Sequence, residues 1–175
     1  LETTISGNDS GRGGAISTYG RDLASLSVAN STITGNTAAL EGGAIYATGR
    51  PGVMLVADTI TANTSANIDG VSMRPTLPPV ALSLPSEVER RDPMVAFEGL
   101  GLLSTILAGN GSVDIGGTFA GPVGSDHSLI GRSTITVQDA GGSQIGVSAS
   151  SLLLGPLAAN GGPTRTMALL PGSPA

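Results

Sequence analysis

Three adjacent residues, Asp126, His127 and Ser128, carry the side-chain types of a hydrolytic triad. In such a triad the serine attacks the substrate, the histidine accepts its proton and the carboxylate orients the histidine. Activity therefore depends on how the three side chains meet in space, and adjacency in the chain does not supply that geometry. We interpret His127, the one histidine of the chain, as a turn residue.

Carboxylates are the other candidates, because polysaccharide lyases and hydrolases need clustered acids or a carboxylate-bound calcium beside a basic residue. The acids here do not recur at one position of a repeat, and most lie in predicted turns. Outside one proline-rich segment and Glu2 they are Asp9, Asp22, Glu41, Asp58, Asp69, Asp114, Asp126 and Asp139. The aromatic residues that could bind sugars are also scattered along the chain: Tyr19, Tyr46, Phe97 and Phe119.

The glycine-rich residues 111–117 resemble a backbone nest for anions, but neither a lysine nor a following helix accompanies them. Calcium at Asp69 or Asp114 is an alternative to solvated turns, although no Gly-Gly-x-Gly-x-Asp repeat supports it. The lack of cysteine excludes a thiol nucleophile, a disulfide scaffold and a cysteine-based zinc site. We predict no catalytic, cofactor-binding or metal-binding residue, and we expect that the chain is not an enzyme.

The composition argues against two further classes. The net charge of −5 argues against non-specific nucleic-acid binding and against attraction to an anionic membrane. No stretch of 18 apolar residues occurs, so the sequence predicts no transmembrane segment in this chain. Only 2 % of the residues are aromatic, and the apolar residues are mostly Ala, Leu, Val and Ile. Small and β-branched side chains suit thin, closely stacked sheets.

Internal repeats determine the predicted fold. The sequence Thr-Ile-Ser-Gly-Asn at 4–8 recurs in similar form at 32–36 and 59–63, at spacings of 28 and 27 residues, and more loosely at 105–110. A second motif, Gly-Gly-Ala-Ile, occurs at 13–16 and again 29 residues later at 42–45. A fixed period of this length is typical of solenoids.

Each repeat predicts three short strands and three turns. Alternation directs the central isoleucines (Ile5, Ile33 and Ile60) inward and the flanking threonines outward, and residues 23–28 and 53–56 supply third strands. We expect the asparagines of the first motif to stack on one another: Asn8, Asn36, Asn63 and Asn110. The prediction is an all-β fold, a right-handed parallel β-helix of about four to six rungs that lie ~4.8 Å apart.

The repeat is lost at residues 73–99, a segment with five prolines and seven charged residues. We predict a side insertion that loops out of a single 1–175 β-helix domain, and we expect the domain to be part of a longer chain. Long loops on rigid scaffolds often carry binding, so 73–99 is the predicted contact for a protein or cell-surface partner. A decoration without a partner is the alternative. Residues 152–175 should wrap irregularly around the last rung.

The repeats resemble those of bacterial surface β-helices, including the polymorphic outer-membrane protein repeats. The sequence Ser-Thr-Ile-Leu-Ala-Gly-Asn at 104–110, followed by Ser-Leu-Ile-Gly at 128–131 and by the Pro- and Gly-rich residues 154–175, resembles the choice-of-anchor Q domain. The resemblance implies an exported bacterial protein, usually with a separate C-terminal anchor. The chain departs from that pattern at Met167, where the family has histidine, and at Ala175, where members continue with Ile-Asp.

The predicted function is a structural or adhesive module, extracellular or at the cell surface, that presents contacts from a rigid solenoid. The alternative is part of a polysaccharide-active β-helix, a lyase or hydrolase with catalytic groups outside this segment. The stacked Thr-x-Thr strands suggest a third possibility, since a flat array of hydroxyls and methyls can order water and bind ice. That array is short, because positions 6 and 107 are Ser and Leu.

Overall fold

The computed structural model describes residues 2–75, 99–118 and 123–175, and most of these residues lie in short strands. Within these ranges no helix is long and apolar enough to cross a membrane. In chain order the elements are β1 (Thr4–Ser6), β2 (Asp9–Arg12), β3 (Ile16–Ala29), β4 (Thr32–Thr34), β5 (Thr37–Glu41), β6 (Ile45–Val56), β7 (Thr59–Thr61), β8 (Thr64–Ser65), β9 (Val71–Pro75), β10 (Gly99–Leu103), β11 (Ile106–Leu107), β12 (Ile115–Gly117), β13 (Val123–Asp126), β14 (Leu129–Ile130), β15 (Val137–Asp139), β16 (Gln144–Ile145), α1 (Ala149–Leu152), β17 (Leu154–Ala158) and β18 (Thr166–Leu169).

The first strand of each repeat belongs to a six-stranded parallel sheet, β1-β4-β7-β11-β14-β16, which we name the threonine sheet. Ile5 pairs with Ile33, and Ile33 pairs with Ile60. Ile33 and Ile60 are both fully buried. The register confirms the predicted isoleucine column, and the same column continues through Leu107, Ile130 and Ile145.

Two further sheets complete the first three repeats, and among the described residues the later repeats have no strand in the shorter of the two. The short sheet, β2-β5-β8, and the long sheet, which contains β3, β6, β9, β10, β12, β13 and β15, are also parallel throughout. The long strand β6 pairs with β9 along its first half and with β10 along its second half. Paired residues are 26–29 positions apart among the first three rungs, and 47, 23 and 15 positions apart along the rest of the threonine sheet. The parallel registers are consistent with the rungs of a parallel β-solenoid whose later turns differ in length.

The predicted insertion lies where β6 changes partner. Residues 73–75 belong to β9 and Gly99 belongs to β10, so the strands extend further into the predicted 73–99 segment than the sequence indicated. Pro75 pairs with Gly49 of β6, and Gly99 pairs with Gly52. Residues 76–98, on which the rest of that prediction falls, lie outside the described residues.

The repeated Gly-Gly pair lies at the corner between the short and long sheets. Gly42 has φ +69°, which side chains with a Cβ rarely adopt. A Cβ on Gly43 would lie 2.4 Å from the carbonyl oxygen of Asp69 on the next rung. The first glycine is therefore required by the backbone conformation, and the second by the close approach of the neighbouring rung.

One apolar core is formed by inward side chains of the threonine sheet and the long sheet. Among the described residues it consists of β-branched and other aliphatic side chains and methionine, with no aromatic member. Its largest fully buried members are Ile33, Ile45, Leu55, Ile60, Met73, Leu100, Leu107, Ile115 and Ile130. Because each residue stacks on its counterpart one rung away, the core runs along the axis of the stack.

The C-terminal residues 148–175, which we name the strap, do not wrap irregularly as predicted. They form α1 and an antiparallel hairpin of β17 and β18. Leu152 of α1 is 2 % exposed and packs with Ile106 and Leu129 on the outer face of the threonine sheet. Thr4 Oγ1, on the first rung, donates to the carbonyl oxygen of Arg165 at 2.7 Å. The strap therefore extends back along the outer face to the first rung.

The outer face of the threonine sheet is less open than the outward direction of its threonines suggested. The flanking residues do point away from the core, but Thr32, Thr34 and Thr61 are only 4–7 % exposed. Met167 and Leu169 of β18 line one cavity together with Thr59. A hydroxyl array under this cover is not open to ice, so the buried face argues against the ice-binding alternative.

Candidate functional site

The residues with the types of a triad do not form one. The Asp126 Oδ1 atom lies 2.5 Å from His127 Nδ1, and both side chains are exposed. Ser128 Oγ instead donates to the carbonyl oxygen of Asp126 and accepts the N–H of Thr105. Ser128 is 1 % exposed, so its hydroxyl is committed to the turn and is not presented to a substrate.

The glycine-rich nest binds a carboxylate of the protein itself. Asp69 Oδ2 accepts the N–H groups of Ser112 (2.6 Å) and Val113 (3.1 Å), and Oδ1 accepts the N–H of Ser65 (2.6 Å). A Cβ on Gly111 would lie 2.4 Å from the Asp69 carboxyl carbon. The interpretation of Asp69 as a solvated turn residue is wrong, because Asp69 is buried. To bind calcium, the Asp69 carboxylate would have to give up hydrogen bonds that it accepts from these backbone N–H groups.

The asparagine column is a continuous chain of side-chain hydrogen bonds. Asn8 Nδ2 donates to Asn36 Oδ1 at 2.9 Å, Asn36 donates in the same way to Asn63 at 2.9 Å, and Asn63 donates to Asn110 at 2.8 Å. The last three side chains are fully buried. This confirms the predicted stack, and a satisfied buried network of this kind fixes the turns of successive rungs relative to one another.

A carboxylate ends the column. Asp114 Oδ1 accepts both the backbone N–H and the Nδ2 of Asn110, each at 2.9 Å, and Oδ2 accepts the N–H of Arg132 at 2.8 Å. Burial raises the pKa of Asp114 above its usual value, against the opposing effect of these hydrogen bonds. Asp114 is buried, so this turn is not solvated as the sequence suggested.

A second column of polar side chains lies at the turn before each strand of the threonine sheet. The N–H of Ser31 donates to Asp58 Oδ1 at 2.8 Å, and the N–H of Ser128 donates to Ser143 Oγ at 3.1 Å. Asp58 Oδ2 also accepts the N–H of Val56 at 3.0 Å. Burial is the main influence on the Asp58 carboxyl and raises its pKa to about 6.

A group of charged and aromatic residues lies on the outer side of the long sheet and at the adjoining corner. Arg74 Nε donates to Glu41 Oε2 at 2.8 Å, and Arg12 Nε lies 3.6 Å from Glu41 Oε1. The Arg12 guanidinium also lies 5.6 Å from the ring centroid of Tyr46. We name Arg12, Tyr19, Glu41, Tyr46 and Arg74 the arginine face.

Within this face Glu41 is the buried member, and the two arginines are partly exposed. Burial alone would raise the pKa of Glu41, but hydrogen bonds from Arg74 and Ser72 and the charges of Arg74 and Arg12 bring it below its usual value. A charged Glu41 between two guanidinium groups leaves one net positive charge on the face. This carboxylate therefore fixes both cations in place on a surface of a chain whose net charge is −5.

Strand register brings the two tyrosines together. Ser17 pairs with Tyr46, and Tyr19 pairs with Thr48, so the tyrosines are diagonal neighbours on one face. Tyr19 is 57 % exposed. These aromatics look scattered in the sequence, but Tyr19 and Tyr46 are 27 residues apart, two fewer than the 29-residue spacing of the Gly-Gly motif. That difference of two places them on the same face of neighbouring strands, and it is the signal that could have found them.

Among the described residues, no group of three His, Asp or Glu side chains could hold a metal ion. What the described residues define is a repetitive parallel β protein with buried polar ladders, a covered threonine sheet and one exposed arginine face.

The profile of the Chlamydia polymorphic membrane protein repeat matches residues 30–48, which contain β4, Asn36 and the Gly42–Gly43 corner. The match supports a bacterial surface or outer-membrane protein module. No curated protein and no solved structure matches the chain significantly.

Proposed function

We propose that the chain is an adhesive module of an exported bacterial surface protein, and that its arginine face makes the contact. The observation that carries the proposal is the placement of Arg12, Glu41 and Arg74 on three successive rungs. Tyrosine and arginine dominate binding energies at protein surfaces, because they combine apolar area with directional polar groups. On this face they occur next to one another.

The ladders support a role as a rigid scaffold. Arg12 and Glu41 end strands that are paired in register, and Glu41 lies directly before the Gly42–Gly43 corner. Asn36, on the same rung as Glu41, is bonded to the rungs on both sides. Side chains on such a scaffold lose little further freedom on binding, which favours affinity.

The proposal also includes the closure of the sheets into a β-helix and the location of the protein. We propose that the three sheets close into a right-handed parallel β-helix, which the parallel registers and the shared core support. The resemblance of residues 154–175 to the choice-of-anchor Q domain supports an extracellular or cell-surface location with an anchor. The repeat match at 30–48 supports the same location.

The experiment uses intact cells of the bacterium that produces the protein. Fab fragments raised against the folded chain should label unlysed cells, and the paired substitutions Arg12→Gln and Arg74→Gln should lower adhesion at an unchanged surface amount. Arg132→Gln, an exposed arginine at another turn, is the matched control. Labelling that requires lysis would overturn the location, and adhesion unaffected by the double variant would overturn the contact.

A protein or cell-surface partner of the 73–99 insertion is the second part of the proposal. Pro75 and Gly99 both pair with β6, so the scaffold on either side is continuous without the intervening residues. Replacing residues 76–98 by a Gly-Ser linker should leave the melting temperature unchanged, since loop-closure entropy depends only weakly on length. Reduced adhesion of cells with this variant is the expected result. If cells with this variant adhere fully, the insertion makes no contact with the partner and the contact lies on the rungs alone.

A further inference from the structure

We propose that the arginine face binds an acidic saccharide, because two guanidinium groups and two tyrosines of successive rungs lie together on the outer side of the long sheet and at its corner with the short sheet. The inference rests on the proposed adhesive function and names the ligand of the same site. Neither arginine is buried, and Tyr19 is the most exposed large apolar side chain among the described residues.

The guanidinium groups supply the recognition of the acid. The contacts of Arg12 and Arg74 with Glu41 both use Nε. Within the described residues, the terminal nitrogens of both groups are left available to a ligand. A pair of terminal N–H groups matches the two oxygens of a carboxylate, or two oxygens of a sulfate, in parallel hydrogen bonds. The contacts of both Nε atoms with Glu41 hold the two guanidinium groups in position on this surface.

The tyrosines supply the recognition of the sugar ring. One face of a pyranose ring consists largely of C–H groups, and it packs on an aromatic ring that is apolar in its centre and polar at its hydroxyl. Tyr19 and Arg74 belong to one column of the sheet, separated by Thr48 on the rung between them. Arg12 lies on the same rung as Tyr19, and Arg74 lies two rungs away. An acidic oligosaccharide packed on Tyr19 would therefore extend along the stack toward both arginines.

The charge balance favours an acidic sugar over nucleic acid. Non-specific binding to a phosphate backbone requires many cations along a track, and this face carries one net positive charge on an acidic chain. A ligand recognised at one or two acid groups, with ring packing beside them, fits the number of cations present.

The experiment is calorimetric titration of the purified chain, at low salt and neutral pH, with three probes. Oligogalacturonate tests carboxylates, a heparin-derived oligosaccharide tests sulfates, and fully methyl-esterified oligogalacturonate keeps the same sugar backbone without charge. We expect binding to at least one acidic probe and none to the ester. The acidic probe that binds more tightly identifies the acid group.

The variants test whether the binding uses this face. Arg12→Gln combined with Arg74→Gln should weaken binding about tenfold or more, since charge-assisted hydrogen bonds are lost. Tyr19→Ser should also weaken binding, and Arg132→Gln should not. Circular dichroism melting of each variant checks that it is folded, and Tyr19→Ser serves as the test if the double arginine variant does not fold.

Three results would overturn the proposal. The first is that neither acidic probe binds the folded chain. The second is that the methyl ester binds as tightly as an acidic probe. The third is that the variants of the arginine face and Arg132→Gln lose the same affinity. If cells still lose adhesion with the double arginine variant, the adhesive function stands and only the saccharide is wrong.

Discussion

Asn110 donates its side-chain N–H to Oδ1 of Asp114 over 2.9 Å, where each earlier asparagine of the column donates to another asparagine. A carboxylate accepts hydrogen bonds but has no N–H to pass on. Asp114 therefore ends the ladder in one direction. Its second oxygen accepts the N–H of Arg132, so the same side chain also fixes the turn of the following rung.

Asp114→Asn should destabilise the chain by about 1–3 kcal/mol, because the introduced amide would direct an N–H at a backbone N–H and leave one buried donor unpaired. Denaturant unfolding at neutral pH measures this loss. Asp126→Asn, at an exposed site, is the control and should change the free energy of unfolding little. Equal effects would mean that Asp114 is not the ladder end described above.

Asn63→Ala should be among the most damaging single substitutions in the chain. It removes the acceptor of the Asn36 side chain and of its backbone N–H, and it removes the donor to the Ile33 carbonyl. Leaving several buried polar groups unpaired should cost about 3–5 kcal/mol. Asn8→Ala, at the exposed end of the ladder, should cost about 1 kcal/mol or less. Similar losses at the two positions would contradict a buried, continuous ladder.

Asp58 should make stability depend on pH. Because its pKa in the folded chain is about 6 and that of an unfolded aspartate is about 4, the folded chain holds the proton more tightly between these values. Stability should therefore be greatest near pH 4 and fall as the pH rises to 6, by up to about 3 kcal/mol from this residue.

The matched variant is Asp58→Thr, since Thr105 and Ser128 occupy the same column on later rungs. Threonine keeps a side-chain oxygen for the N–H of Ser31 but does not titrate. The difference between the two unfolding curves removes the contribution of Asp114, whose pKa is also raised. Parallel stability curves from pH 4 to 6 would rule out the raised pKa of Asp58.

Leu152→Asp should release the strap. Its side chain packs against Ile106 and Leu129, and burying a carboxylate there is unfavourable enough to favour undocking. We expect faster protease cleavage in the 159–165 turn and increased binding of a hydrophobic dye by the uncovered sheet. Leu170→Asp is the control because Leu170 is 43 % exposed. Equal cleavage of the two variants would mean that α1 does not hold the strap.

The period of the repeat was sufficient to predict the sheets, the isoleucine column and the asparagine column. Alternation in a strand could also predict that Thr32 and Thr34 point away from the core. It could not predict that they are buried, because the strap that packs on the outer face of this sheet is far away in the sequence and lacks the repeat. Pro156, Pro163 and three glycines suggested an irregular path, yet they lie within or between the strands of a hairpin; the glycines are Gly155, Gly161 and Gly162.

The arginine face was only partly accessible from the sequence. Arg12 and Glu41 both precede a Gly-Gly pair, which aligns them on neighbouring rungs. Arg74 has no such marker, because it does not lie at the corner but within β9, where it pairs with Thr48 and reaches back to Glu41. The positions of the buried acids were also missed, since Asp69 and Asp114 bind backbone N–H groups of turns whose geometry the repeat does not specify.

The central claim is that residues about one repeat apart lie side by side on stacked parallel rungs. The chain has no cysteine, so an engineered pair can test it directly. Thr37 and Thr64 are paired in register with their hydroxyls 3.3 Å apart. Asn67 closes a loop of nearly the same length with Thr37, but it lies three residues beyond the paired position. Cysteines at 37 and 64 should form an intramolecular disulfide under mild oxidation, and cysteines at 37 and 67 should remain reduced. Equal oxidation of the two pairs, or a disulfide only in the second, would contradict the stacked register.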